Sequence, residues 1–190
     1  MEKIDVRFDE QMIAVLKSMV GTNLIQIRKP MNDKVIFFIA GIRTDSGWHA
    51  LTNLLEVRDY FGVKEDVAVF RLEEYSDEKY NSLVKNLLVK IVDIPINQRI
   101  REIQVINEHQ MLFCGDEQIY DVWLTRGVIF ILDDGFEVAF EKSVWFSEFI
   151  YFIAGESVIK KFIPTSNFLD AWEAPCRGEC ERVALTLQAE

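Results

Sequence analysis

Two segments of the chain repeat their apolar residues at the 3.6-residue period of an amphipathic helix. In residues 9–20 the apolar side chains form one stripe, Asp9 stands where it can cap the first turn, and Gly21 follows the last. The second stripe follows Ser76, where the helix is expected to begin, and consists of Tyr80, Leu83, Val84, Leu87 and Leu88. The spacing predicts two helices, and a short helical turn is expected over residues 166–172.

Most of the remaining apolar segments follow strand patterns. Alternation with a period of two is typical of a strand that buries one face, and it occurs in residues 24–28, 67–72, 100–106 and 119–125. Dense runs of β-branched and aromatic residues also favour strands, and they cover residues 35–43, 128–132 and 149–153.

Turn-forming residues divide these strands. Pro30 and Asn32-Asp33 are expected to end the first strand, and Pro95 is expected to end the element before it. Turn signals at residues 44–47 and 133–135 predict two hairpins. The first hairpin joins residues 35–43 to 48–55, and the second joins 128–132 to 136–140.

The two halves of the chain share one order of elements: helix, short strand, apolar strand, Asp-x-Gly turn and aromatic-led strand. This order predicts an α+β fold, mainly antiparallel sheet with two or three short helices, built as two tandem helix-plus-sheet units. The units are residues 1–75 and 76–175, which can pack as one domain, and residues 107–118 form a longer polar arm in the second. Residues 176–190 are expected to be a mobile tail. The alternative is that similar hairpin turns recur by chance.

Composition excludes several classes of protein. With 190 residues, 49% hydrophobic, the chain is too apolar for a disordered acidic tail. A net charge of −10 disfavours nucleic acid and anionic membrane surfaces as partners. No apolar run approaches the length of a bilayer span. The chain has three cysteines, an odd number, and its N-terminus has no apolar run of the kind found in a secretion signal. We therefore expect a cytoplasmic protein with free thiols.

Residues able to carry catalysis or bind metal are few and scattered. His49 and His109 are the only histidines, and neither has a second histidine at ligand spacing, so both are expected to be exposed and structural. The sequence contains no nucleophile elbow and no glycine-rich phosphate loop. We therefore expect a non-enzymatic protein with no catalytic residue, metal or cofactor.

Two aromatic and acidic segments are candidate partner contacts. They comprise Tyr60, Phe61, Glu65, Asp66, Trp145, Phe146 and Glu148. Each segment has a second interpretation, in which its aromatic rings pack beneath a loop or in the core. If the second cluster occupies both faces of an edge strand, one row of rings is left outside for a partner or for a homodimer.

The favoured function is a protein-binding module that acts through an acidic and aromatic surface, as an inhibitor or immunity-type protein does on a basic partner. One alternative is a small-molecule-binding or hydrolytic site, in which His49 and Asp45 converge with Glu137 or Asp133. A further alternative is a DNA mimic, in which rows of carboxylates imitate phosphates.

Overall fold

The computed structural model of the protein describes residues 3–31, 35–86 and 90–189. It is mostly antiparallel β-sheet, 62% strand, with three short helices in these ranges. The predicted α+β class is confirmed, and the tandem duplication stays a prediction. Asn32, Asp33, Leu87 and Leu88, on which parts of two predictions rested, lie outside the described residues.

The elements follow one another along the chain in this order: β1 (Ile4–Val6), α1 (Glu10–Met19), β2 (Asn23–Pro30), β3 (Val35–Phe37), β4 (Ile39–Thr44), β5 (Gly47–Tyr60), β6 (Val63–Glu74), α2 (Asp77–Val84), β7 (Ile91–Cys114), β8 (Glu117–Leu132), β9 (Glu137–Lys142), β10 (Phe149–Gly155), a 3₁₀ helix (Val158–Lys161), α3 (Ser166–Leu169) and β11 (Cys176–Gln188).

Both predicted helices begin at the expected caps. Asp9 accepts a hydrogen bond from the backbone N–H of Met12, and Ser76 accepts one from Lys79, so each satisfies a backbone donor that the first turn leaves free. Leu16 and Met19 bury the stripe of α1 in the core, while Tyr80 and Val84 bury that of α2.

The strands form one sheet in the order β3-β10-β9-β8-β7-β2-β4-β5-β6, with β1 added to β8 and β11 added to β7. β7 pairs with β8 along one edge, and with β2 and then β11 along the other. β3 and β4 follow each other in the chain but lie far apart in this order. Phe38, with φ of 67°, makes the turn between them.

Several strand boundaries differ from the sequence predictions. The run 35–43 is broken at Phe38 into β3 and β4, and the predicted strands 119–125 and 128–132 are one strand, β8. Pro95 lies inside β7 rather than at an end, because it falls at an irregularity in the pairing with β2. The predicted polar arm 107–118 is largely the continuation of β7.

The alternation predicted for β2 is interrupted by a bulge. The register with both neighbouring strands shifts between Leu24 and Gln26. One inserted residue turns the following side chains to the other face, so Leu24 and Ile27 are both fully buried. Strict alternation had placed these two residues on opposite faces.

The prediction of a mobile C-terminal tail with free thiols is wrong. Residues 176–188 form β11, which pairs with β7 over its whole length. Cys176 forms a disulfide with Cys114, and Cys180 is the free cysteine.

The main hydrophobic core draws on both predicted units, for example Ile42 and Phe70 with Val128 and Phe140. A second core lies where the β5–β6 hairpin covers the outer parts of β7 and β8. None of the helices in the described part of the chain has both the length and the apolar character needed to cross a membrane.

Candidate functional site

A cavity of about 240 Å³ opens beside the second core. Its walls come from the tip of β5, from β7, β8 and β11, from the end of β9 with the residues after it, and from residues 163–172, which we call the strap. Six aromatic side chains line what we call the aromatic cavity: Tyr60, Tyr120, Trp145, Phe146, Phe168 and Trp172.

The aromatic members of the two predicted contact segments come together at this place. The ring centroid of Tyr60 lies 5.8 Å from that of Trp145 and 5.7 Å from that of Phe146. Phe61 lies 5.0 Å from the ring of Tyr120, just behind the cavity wall. Segments far apart in the sequence thus form one aromatic cluster.

The turn that delivers these rings is strained. Phe61 and Gly62 both have positive φ, 56° and 86°, as a two-residue hairpin turn of this type requires. Glycine adopts this conformation freely, whereas a phenylalanine there costs about 1 kcal/mol. Packing against Tyr120 and a hydrogen bond of 2.8 Å from the Gly62 N–H to Asp59 Oδ1 hold the turn.

The acidic members of the predicted set lie elsewhere. Glu65 and Asp66 are exposed on β6, opposite Arg58 and Val57. Glu148 points back to β5, where its Oε1 accepts a hydrogen bond of 3.0 Å from the N–H of Leu55. These three carboxylates do not line the aromatic cavity.

A buried ionic network forms the polar side of the cavity. Glu108, only 1% exposed, accepts hydrogen bonds from the guanidinium groups of Arg126 and Arg182 and from the amide of Gln110. Burial alone would raise the pKa of Glu108, but the two arginines outweigh it and hold that pKa below its usual value. The carboxylate is therefore ionised and fully engaged.

Strand pairing explains how these charges meet. Arg182 on β11 lies directly opposite Glu108 on β7. Arg126 is the extra residue of a bulge in β8, between Thr125 and Gly127, which pair with adjacent residues of β7. Arg126 also donates to the carbonyl oxygens of Lys142 and Ser143, at 3.1 and 3.2 Å, so it ties β8 to the end of β9.

Lys142 is the cavity residue whose charge is least compensated. It is 1% exposed, and its Nζ donates one long hydrogen bond of 3.4 Å to the Val144 carbonyl and lies 5.6 Å from the centre of the Trp145 ring. Burial, together with Arg126, lowers the pKa of Lys142 to about 7. The Nε1–H of Trp145 is buried without a hydrogen-bond partner.

A second, more open cavity of about 680 Å³ lies behind the strap. Glu141 lines it, while its neighbour Lys142 lines the first, since successive residues of β9 face opposite sides. Oε1 of Glu141 accepts a hydrogen bond of 2.8 Å from the N–H of Ile163. Burial raises the pKa of Glu141 to about 7.

The strap is fixed at both ends. At its start, Ile163 donates to Glu141 and accepts from Arg182. Beyond its end, the Cys114–Cys176 disulfide joins the first residue of β11 to the last of β7. The rings of Phe168 and Trp172 lie close over Gly178 of β11, which leaves no room for a side chain there.

The two histidines are less exposed than the sequence predicted. His109 is hydrogen-bonded to Asp121 at 2.8 Å and stacks on Trp123, with its side chain 15% exposed. His49 has a buried Nε2 without a partner, and burial lowers its pKa.

The proposed convergence around His49 is not seen in either cavity. Asp45 accepts hydrogen bonds from Asn23, and Glu137 accepts one from the N–H of Val158. His49, Asp45, Glu137 and Asp133 line neither of the two cavities. Among the described residues, no group of three or more His, Cys, Asp or Glu side chains is placed to hold a metal ion.

Sequence reasoning missed Glu108, Arg126, Lys142 and Arg182. The available signal was a charged residue embedded in apolar strand sequence, as Arg126 is between residues 119–125 and 128–132. Such a residue must find a partner when the strand is buried. The partner of Arg126 is Glu108 on β7, and Arg182, the second arginine on that carboxylate, lies on β11, a segment expected to be a tail.

Comparison with known protein families, with curated proteins and with solved structures finds no match to this chain.

Proposed function

We propose that this chain is a binding protein whose aromatic cavity takes a small, largely apolar ligand. The observation that carries the proposal is the combination, in one concave site, of six aromatic side chains with buried polar groups that lack full hydrogen bonding. Ligand sites in proteins are typically apolar hollows with a few convergent polar groups.

The volume and the aromatic walls favour a compact ligand. At about 240 Å³ the cavity is slightly smaller than typical sites for drug-sized molecules, so it fits one or two fused rings. The strained Phe61 turn supports the same proposal, because backbone strain often persists where a site must be shaped.

Ligand-observed NMR with benzyl alcohol and benzoate tests this function. Ala171 lines the cavity, so Ala171→Trp is expected to fill it and abolish binding. Ala184→Trp, on the exposed part of β11, is the matched control and should bind as the wild type does. Absence of binding by both compounds, or equal binding by both variants, would contradict the proposal.

The protein-binding function predicted from the sequence remains a second proposal, and one observation favours it. Val144 and Phe146, at the cavity rim, are 56% and 54% exposed, which gives a basic protein partner an apolar contact on a chain of net charge −10. A partner retained from host lysate by the wild type should be lost with Phe146→Ser and kept with Val57→Ser, which changes an exposed residue that does not line the cavity. Equal retention by both variants contradicts a contact at the rim.

The remaining predictions from the sequence also stay proposals: the tandem duplication, a homodimer, mimicry of DNA and a cytoplasmic location. The last requires a reduced Cys114–Cys176 pair in the cell, since lasting disulfides are rare in the cytosol. Alkylation of thiols in intact cells measures this directly, and a protected pair would contradict a cytoplasmic location.

A further inference from the structure

The charges that line the aromatic cavity have the opposite sign to the protein as a whole. Lys142, Arg126 and Arg182 contribute three cationic groups, and Glu108 is the carboxylate among the lining residues. The chain carries a net charge of −10. A cationic interior in an acidic protein is therefore a local property of this site.

The two arginines are already occupied. Both donate to Glu108, and each also donates to backbone carbonyl oxygens, Arg126 on β9 and Arg182 at the start of the strap. They fix the wall, and as two cations on one carboxylate they more than neutralise Glu108. The carboxylate cannot then also serve as the close partner of Lys142, and no carboxylate of the described residues lies within ion-pair distance of the Lys142 Nζ.

Lys142 and Trp145 thus present donors without adequate acceptors. The ammonium has one long hydrogen bond to a carbonyl, and the nearby indole N–H has none. Burying an ammonium lowers the stability of the fold unless the charge is paired, and leaving a buried N–H without an acceptor costs about 1–3 kcal/mol of stability. An anion that accepts from both groups would satisfy them together.

We propose, building on the binding function proposed above, that the ligand is an aromatic carboxylate whose carboxylate accepts hydrogen bonds from the Lys142 ammonium and the Trp145 indole. Its ring system lies among the side chains of Tyr60, Tyr120 and Phe168, which supply stacking and edge contacts. One carboxylate suffices, because Lys142 is the lining cation whose donors are not taken up by the wall.

Three probes of the same shape separate charge recognition from simple filling of the cavity: 2-naphthoate, 2-naphthalenemethanol and 2-naphthylmethylamine, titrated by calorimetry against the full chain at pH 6.5. We expect the carboxylate to bind at least about tenfold more tightly than the alcohol, since a charge-assisted hydrogen bond contributes that much. We expect the amine to bind most weakly.

Variants then locate the contact. Lys142→Met is expected to weaken the carboxylate about tenfold or more and to leave the alcohol unchanged, which also shows that the variant is folded. Trp145→Phe removes the N–H and keeps an aromatic ring, so it should weaken the carboxylate selectively. Lys160→Met, a lysine outside the cavity, is the matched control and should change neither affinity.

The outcomes distinguish the two proposals. Equal binding of the carboxylate and the alcohol overturns the carboxylate inference and leaves the cavity function standing. Tight carboxylate binding that survives Lys142→Met also overturns it, because the anion would then be held by another group. Binding of none of the three probes overturns both.

Discussion

At the scale of single residues, the buried charges of the cavity fall into two kinds. Glu108 is saturated with hydrogen bonds and holds two arginines, whereas Lys142 is buried with little compensation. The first arrangement serves the fold, because it joins β7, β8 and β11. The second lowers stability, and groups with strongly perturbed pKa values in a cavity are frequent at functional sites.

Removing the Glu108 charge should be strongly destabilising. Glu108→Gln keeps the size of the side chain but leaves the buried Arg126 and the half-buried Arg182 without a carboxylate, and breaking such an arrangement costs about 3 kcal/mol or more of unfolding free energy. Glu181→Gln, an exposed residue on β11, is the control and should change stability little. Urea unfolding at pH 7 measures both, and similar midpoints for the two variants would contradict this role of Glu108.

Replacing Lys142 should have the opposite effect. Lys142→Met removes the burial cost of the ammonium and is expected to raise the free energy of unfolding by about 1–4 kcal/mol at pH 7. Between pH 7 and about 10.5 the unfolded chain holds a proton that the folded wild type has released, so wild-type stability from this group rises with pH. The advantage of the variant should therefore shrink from pH 7 to pH 10. A constant difference in urea unfolding across this range would be inconsistent with a lowered pKa.

At the scale of elements, the sequence revealed the types of most helices and strands but not the irregularities that shape the site. Both helices and both Asp-Gly hairpins were predicted from caps, spacing and turn residues. The bulges at Leu24–Gln26 and Arg126 were not, because a bulge depends on pairing with a partner strand that local alternation does not identify. The helical turn of the strap, predicted over residues 166–172, is present as α3, but β11 was missed for the same reason.

The disulfide should stabilise the attachment of β11 to β7, and with it the strap that precedes β11. Cys114→Ser removes a crosslink between residues separated by 62 positions and is expected to lower the free energy of unfolding by about 2–4 kcal/mol. Cys180→Ser, which changes the free thiol nearby, should cost less. Thermal unfolding of the two variants under non-reducing conditions compares them, and equal melting temperatures would argue against a disulfide between Cys114 and Cys176.

The strap also depends on a glycine in β11. A Cβ at Gly178 would lie 2.9 Å from Cδ1 of Trp172 and 3.1 Å from the Phe168 ring, so Gly178→Ala must push these two cavity walls outward. We expect weaker binding of aromatic probes in calorimetric titrations, by about threefold to tenfold if roughly 1 kcal/mol of contact is lost. Ala184→Val, farther along β11, is the control; unchanged affinity with Gly178→Ala would show that the strap does not form the wall.

At the scale of the whole molecule, the chain reveals its class more readily than its topology. Alternation and turn residues were enough to predict a mainly antiparallel α+β protein. The pairing of β3 with β10, between residues more than 100 positions apart, has no local signature and forms only as the chain folds as a whole.

The same long-range packing assembles the cavity. Tyr60, Phe61, Trp145 and Phe146 could be singled out from the sequence as aromatic segments, but their meeting depends on how the β5–β6 hairpin folds over β8. Net charge pointed to a basic partner, whereas the charges lining the cavity favour an anion. An overall charge therefore says little about an enclosed site.

The most direct test of this account is the indole N–H region of a ¹H–¹⁵N NMR spectrum recorded during titration with 2-naphthoate, with the four tryptophan signals assigned by single Trp→Phe variants. The Trp145 signal is expected to move downfield as its N–H acquires an acceptor, and the Trp172 signal is expected to shift because the bound ring lies near it. The signals of Trp48 and Trp123, which lie outside the aromatic cavity, should stay in place. A stationary Trp145 signal at saturating 2-naphthoate would contradict a hydrogen bond between the ligand carboxylate and the Trp145 indole.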